Sequence, residues 1–178
     1  MFCWGKNDYG QIGDWTTVNR PAPVLVLQNT THLSAGTWHT CGQRTDGLLR
    51  CWGRNDFGQL GIGSTTDSAV PLIVPGLSNM VAVAAGGEHS CVLRPNTRVS
   101  CWGRNLEGQI GTGSTSTNVL VPTTVGNLAN VTAIALGQNH SCALRSAGDV
   151  RCWGWNSSGQ LGDGSLISSA TPVRVAIP

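Results

Sequence analysis

Lysine is almost missing from this 178-residue chain: Lys6 is the only one. Glutamate is nearly as scarce, limited to Glu88 and Glu107, and charged residues make up only 11% of the whole. With a formal net charge of +2 there is no basic stripe to follow a phosphate backbone, which excludes a nucleic-acid surface. Apolar runs are short too. "MVAVAA" at 80–85 is among the longest, well below the roughly 20 residues of a membrane-spanning helix. No window of ten or more residues places apolar side chains every three or four positions, so helices are not expected. Hydrolase chemistry needs paired carboxylates or a converging base and nucleophile. The seven aspartates fall mainly in turns, and His39, His89 and His140 have no acid partner in their motif. The opening Met1-Phe2-Cys3-Trp4-Gly5 carries no signal-peptide pattern and runs straight into a repeat, so it reads as the middle of a longer array. At 40% apolar, however, the chain is too hydrophobic for disorder and long enough for one domain with a sizeable core.

What is present repeats. Cys-Trp-Gly begins at Cys3, Cys51, Cys101 and Cys152, a period of about 50 residues. Each copy continues as W-G-x-N-x-x-G-Q-[LI]-G, and three are preceded by G-x-x-H-[ST]-C. A Ser/Thr-rich stretch then leads to a proline and a short apolar alternation. One period holds four strands: 131–137, 140–145, 149–154 and 171–175, the last with a proline near its start, where a ladder donor can be spared. The expected fold class is all-β: β-propeller blades of four antiparallel strands, about three and a half of them, as a partial or open propeller. The array is expected to divide as 1–34 (partial), 35–84, 85–135 and 136–178.

Six of the seven cysteines form pairs ten apart: Cys41/Cys51, Cys91/Cys101 and Cys142/Cys152. Setting each pair directly opposite in a hairpin leaves the loops Thr45-Asp46-Gly47, Pro95-Asn96-Thr97 and Ser146-Ala147-Gly148. Three-residue loops commonly end in a left-handed residue, and two of these place glycine there. The middle loop has Thr97, so its turn is expected to differ. The same register sets His39, His89 and His140 opposite Gly53, Gly103 and Gly154, where a ring has room to lie across the neighbouring strand. It sets Trp52, Trp102 and Trp153 opposite Thr40, Ser90 and Ser141. Three readings of the cysteines stay open: zinc ligation, buried thiols and cross-strand disulfides. One histidine and two cysteines on a flat hairpin fall short of a tetrahedral set. Recurrent facing pairs favour disulfides, and directly opposed Cβ atoms lie within bonding reach. No metal and no cofactor are expected. Disulfides imply an oxidising setting: extracellular, periplasmic or cell surface. Cys3 has no facing partner in the chain.

The stretch "CWGRNDFGQLGIG" has the look of a phosphate loop but lacks the lysine followed by Ser/Thr and the helix that such loops need. Its glycines and Gln11, Gln59, Gln109 and Gln160 recur in every copy, as turn residues would. Function is expected where copies differ. The variable positions of G-x-x-H and W-G-x-N-x-x-G share one rim of a four-stranded meander. From that rim come the candidates Tyr9, Trp15, Trp38, Arg54, Phe57, Glu88, Arg104 and Trp155. Trp15 stands where the other copies have Gly63, Gly113 and Gly164. Aromatics and arginines dominate binding hot spots, so these positions point to a rim that binds another protein or a surface glycan. The competing reading makes them ordinary loop residues, with Trp15 or Trp155 capping a blade.

The motifs G-x-x-H-S-x-A-L, G-x-V-x-x-W-G-x-N and G-Q-L-G, in order over essentially the whole chain, resemble the regulator of chromosome condensation repeat family. The cysteines in "HSCALRSAGDVRCWG" depart from the general pattern and look like a bacterial extracytoplasmic branch. The resemblance implies a β-propeller, usually of seven blades. It also implies a wide choice of roles, since members include a guanine-nucleotide exchange factor for a small GTPase, an ultraviolet-B photoreceptor and a secreted β-lactamase inhibitor. The favoured expectation is a non-enzymatic extracytoplasmic binding scaffold, with nucleotide exchange on a small GTPase as the alternative. At about three and a half blades, the chain reads as a fragment of a longer propeller or an open arc. Its open blade edges, or Cys3, would support self-association.

Overall fold

The structure is a computed structural model that describes residues 1–176. Every regular element in it is a strand. β1 (Phe2–Gly5) and β2 (Arg20–Leu25) form a two-stranded sheet. Three four-stranded sheets follow, each a meander in chain order. The second sheet holds β3 (Thr30–Ala35), β4 (His39–Arg44), β5 (Leu48–Gly53) and β6 (Ser68–Ser78). The third holds β7 (Ala82–Ala85), β8 (His89–Leu93), β9 (Val99–Arg104) and β10 (Asn118–Thr124). The fourth holds β11 (Val131–Leu136), β12 (His140–Arg145), β13 (Val150–Gly154) and β14 (Ser169–Arg174). The sheets stand side by side as blades, with β3, β7 and β11 packed against one another on the inside. The outermost strands all carry proline: Pro21 and Pro23, Pro71 and Pro75, Pro122, Pro172. Only an edge strand tolerates the lost backbone donor.

The hairpin register matches the sequence expectation. Cys41 faces Cys51, Cys91 faces Cys101 and Cys142 faces Cys152. All three pairs are disulfides, and their sulfur-bearing side chains lie mainly in the core. The zinc and free-thiol readings of these six residues fall away. Cys3 is the free cysteine.

Two expectations are corrected. Thr97 does not change its turn. It takes a left-handed φ of 62° beside 78° for Gly47 and 82° for Gly148. Its amide donates to Arg94 O at 3.0 Å, just as Gly47 N donates to Arg44 O and Gly148 N to Arg145 O at 2.9 Å. Hairpin closure by the disulfide overrides the steric preference of a β-branched residue. The histidine rings do not lie across the facing glycines either. They fold back over the glycine of their own G-x-x-H. A Cβ on Gly36 would come within 2.8 Å of the His39 ring, and one on Gly86 within 2.6 Å of the His89 ring.

From there the His39 and His89 rings reach the next blade. Ser90 Oγ donates to the Gln59 carbonyl (2.9 Å), and so does Trp102 Nε1 (2.9 Å). The serine proton is thereby used, so Ser90 Oγ accepts from His39 Nε2–H at 2.8 Å. The next contact repeats this: Ser141 Oγ and Trp153 Nε1 donate to Gln109 O (2.9 and 2.8 Å), and His89 Nε2 reaches Ser141 at 2.9 Å. Each indole also covers the last glycine of the preceding G-Q-[LI]-G. A Cβ on Gly61 would sit 2.6 Å from Trp102 Nε1, which is why glycine is required there. Leu60, Val92 and Trp102 share one buried cluster, and Ile110 and Trp153 another, so the core runs between blades.

Candidate binding rim

The long loop between third and fourth strands is shaped by one buried asparagine per copy. Asn55 Nδ2 donates to the carbonyls of Ser64 and Thr66 (2.9 and 3.0 Å), while its Oδ1 accepts from Leu60 N (2.9 Å). Gln59 Oε1 accepts from Phe57 N at 2.9 Å. Asn7 and Gln11, Asn105 and Gln109, and Asn156 and Gln160 make the corresponding bonds. The amides therefore satisfy backbone groups in the bend, and the loop is a turn with no phosphate-holding role in its fixed letters.

The fixed letters hold the variable ones against the preceding turn of the same blade. Arg54 N donates to Trp38 O, Arg104 N to Glu88 O and Trp155 N to Asn139 O, all at 2.9 Å. Thr37 N and Gly87 N bond Gly86 O and Gln138 O of the next blade (3.2 Å each), so the turns form a continuous inner row.

On this base the side chains build a ladder across blades. Lys6 Nζ stands 4.7 Å above the Trp38 ring, and Tyr9 meets Trp38 edge-on at 5.5 Å. Arg54 lies 5.1 Å over Tyr9 and pairs with Asp56 (2.6 Å) and Glu88 (3.4 Å). Glu88 also faces Arg104 (3.7 Å), which lies 5.8 Å over Phe57 and donates to Asn139 Oδ1 at 2.8 Å. Burial works against the Arg54 charge, but Asp56, Tyr9 and Glu88 outweigh it and raise its pKa. Each exposed pair contributes about 0.2–1 kcal/mol, and the cation–π contacts about 0.5–1 kcal/mol each. The ladder is thus a preordered surface more than a source of stability. A hollow of about 290 Å³ opens in it, lined by Trp38, Phe57, Glu88, Arg104, Leu106 and Asn139 among others.

Of the eight candidates, six meet: Tyr9, Trp38, Arg54, Phe57, Glu88 and Arg104. Trp155 holds the position of Arg54 and Arg104 in the last copy, beside Asn139, and takes no part in the ladder contacts. Trp15 stands apart. Its φ of 70° matches the glycines it replaces, its amide donates to Ala69 O (3.0 Å), and its side chain is 82% exposed. Lys6 and Asn139 complete the ladder without having been singled out, although both lie at variable positions of the two motifs.

No group of three or more His, Cys, Asp or Glu side chains able to hold a metal occurs among the described residues. Among the described residues no helix is long and apolar enough to cross a membrane.

The family model for the regulator of chromosome condensation (RCC1) repeat matches residues 1–42, 46–93, 98–144 and 147–178. The chain belongs to that family. A second RCC1 repeat model matches 31–59, 80–109 and 131–160. Among relatives, the probable E3 ubiquitin-protein ligase HERC4 of Rattus norvegicus is 40% identical over 172 residues, covering 92% of this chain and 16% of the relative. The ultraviolet-B receptor UVR8 of Arabidopsis thaliana is 38% identical over 61 residues, 33% of this chain and 14% of the receptor. The chain thus spans less than a fifth of either relative. Among solved structures, yeast RCC1 (Prp20) bound to Kap60 superposes with a TM-score of 0.87 at 23% identity, covering 99% of this chain and 44% of that one. Human WBSCR16 gives 0.88 at 25%, covering 99% and 48%. These solved structures share the blade architecture described above.

Proposed function

We propose that this RCC1-type array is a non-enzymatic scaffold that binds another protein through the ladder face. The observation that carries this reading is the ladder itself: three aromatics and three cations drawn from three blades and ordered on one rim. Ordered aromatic and arginine side chains around a hollow are the composition of binding hot spots. Their charges are already paired, so the rim would recognise shape and aromatic contact more than net charge. This favours a folded protein surface over an anionic polymer, and leaves a surface glycan as the second ligand class to test. Yeast Prp20p, which has this fold, is described by its binding to Gsp1p and histones. Three disulfides favour an oxidising, extracytoplasmic setting and weigh against exchange activity on a cytosolic GTPase.

The test is affinity capture from the secreted or surface fraction of the source cells, followed by titration of the purified partner. Trp38→Ala and Phe57→Ala are each expected to weaken binding about thirtyfold, as at an interface hot spot of about 2 kcal/mol. Arg98→Ala, on a hairpin tip of the opposite rim, is expected to leave it unchanged. Equal affinity for all three variants and the parent chain would sink the reading.

A further inference from the structure

The small net charge of the chain conceals a segregation between its two rims. Seven of the nine carboxylates lie in the long loops between third and fourth strands or, for Glu88, in the turn before a second strand, all on the ladder side. Only Asp46 and Asp149 lie at the hairpin tips between second and third strands. The arginines divide the other way. Arg44 and Arg50 belong to the hairpin of the second sheet and Arg94 and Arg98 to that of the third. Arg145 and Arg151 belong to that of the fourth, where Arg174 stands directly across from Arg151. Seven cations against two carboxylates leave five net positive charges on this rim. The lack of a basic stripe, expected from the overall charge, holds for the chain as a whole and fails here.

The middle hairpin is the most open of the three. Asp46 Oδ1 accepts from Leu48 N at 2.9 Å and Asn96 Oδ1 from Arg98 N at 3.2 Å, so the two side chains shape the same turn. The carboxylate also pairs with Arg44 (3.6 Å) and Arg50 (3.0 Å), whereas the amide brings no charge. In the last hairpin Arg145 and Arg151 share Asp149 (3.3 and 2.9 Å). Among the described residues Arg94 and Arg98 have no carboxylate partner. Arg94 Nε donates to the neutral Ser100 Oγ (2.8 Å), and Arg98 is exposed. Like charges set directly across a ladder, as in Arg151 and Arg174, oppose folding. Such a surface is complementary to a partner of opposite sign.

We propose that the hairpin rim binds an acidic polysaccharide, whose carboxylates or sulfates seat on the arginines. The planar guanidinium fork matches such groups with two parallel hydrogen bonds. Arg44, Arg94 and Arg145 each follow the second-strand cysteine by three residues, so one cation recurs at the same place in every complete blade. That repetition suits a chain charged at every unit. Two features turn the choice away from nucleic acid. The rim carries no Trp, Tyr or Phe on which bases could stack. The blades also fan around β3, β7 and β11, so the tips lie on an arc that a stiff duplex cannot follow and a flexible saccharide chain can. The proposal is independent of what the ladder face binds.

The probe is alginate, a polyuronate, titrated into the full chain with neutral dextran as the blank. Alginate should bind with an affinity that falls steeply as salt is raised, and dextran should not bind. Arg94→Gln and Arg98→Gln together should weaken alginate binding about tenfold and lower the salt slope by about two contacts. Asn96→Asp gives the middle hairpin the carboxylate that Asp46 supplies next door and keeps the turn. It should weaken binding about threefold. Circular dichroism and a count of one free thiol establish that each variant is folded with its hairpins closed. Unchanged affinity in both variants overturns the proposal, as does an affinity for alginate no greater than that for dextran. Tighter binding to DNA than to alginate, at equal salt, overturns a polysaccharide as the partner.

Discussion

The contact between the second and third blades and the contact between the first sheet and the second blade are written in nearly the same letters. Their outcomes differ. Trp102 is wholly buried, its indole bonded to Gln59 O and stacked on Gly61. Trp52 is equally buried against Gly13, yet its indole N–H has no partner. Trp4, the same letter one copy earlier, is 62% exposed. A motif residue here is therefore not a core residue by its identity. It becomes one when the preceding copy supplies its glycine turn, with or without a carbonyl for the indole. The unit of stability is the contact between blades, as expected of arrays whose energy is a sum over repeats and nearest-neighbour interfaces.

The sharpest break should come from the complete contact. Trp102→Ala removes a fully buried side chain and a bonded indole, and should cost about 4 kcal/mol in urea unfolding. Next come the disulfides. Each closes a loop of about ten residues, for which chain entropy gives about 3 kcal/mol. Replacing Cys91 and Cys101 together by alanine should lower stability by that order. Thiol titration of the denatured, unreduced parent chain should find a single free thiol, Cys3. Seven free thiols would remove the oxidising-compartment argument.

The histidines sharpen the comparison through pH. Burial pushes the His39 pKa from 6.5 down to about 4. Burial, helped by His39, His140 and Arg104, takes His89 to about 3. Both are neutral in the folded chain, where each Nε2–H is committed to a serine and each Nδ1 is buried without a donor. The unfolded chain takes up protons below pH 6.5 and the folded chain does not until about 4 or 3. The stabilisation is therefore complete above 6.5 and is lost as pH falls. At pH 5 each histidine should have cost about 2 kcal/mol relative to pH 7.5, from 1.36 kcal/mol per pH unit per proton. Chemical denaturation across pH 4.5–7.5 measures this, and His89→Gln should flatten the slope by about one proton.

The register of the hairpins was legible because two restraints agreed: paired cysteines ten apart and turn glycines at Gly47 and Gly148. Thr97 shows the limit of that reading, since sterics argued against a left-handed threonine while the closed hairpin imposed one. The His39–Ser90–Gln59 lock was not legible, because it joins residues in different sheets whose facing depends on blade stacking rather than on strand pairing. The fixed Ser/Thr after each histidine was the available signal. For the rim, meander logic gathered the variable letters on one face, which brought Tyr9, Arg54, Glu88 and Arg104 near one another. It could not decide that Arg54 would stack on Tyr9 while bonding Glu88, because rotamer choice depends on the neighbours' own positions. Trp15 fell outside for a related reason: it substitutes for a glycine that serves the junction with Ala69, not the turn row.

The smallest effect is expected where the same tryptophan has nothing to lean on. Trp4→Ala deletes a side chain as large as that of Trp102, in the same Cys-Trp-Gly. Its ring, however, is largely solvated, so little area leaves or enters water on unfolding, and no cavity remains in the folded chain. Surface substitutions of this kind fall within about 0.5 kcal/mol. Measured beside Trp102→Ala under identical urea conditions, the pair isolates what the preceding blade contributes to one repeated letter. A loss at Trp4 approaching that at Trp102 would mean that burial within the blade's own sheet, rather than stacking on the preceding Gly-Gln-Leu-Gly turn, makes the tryptophan structural.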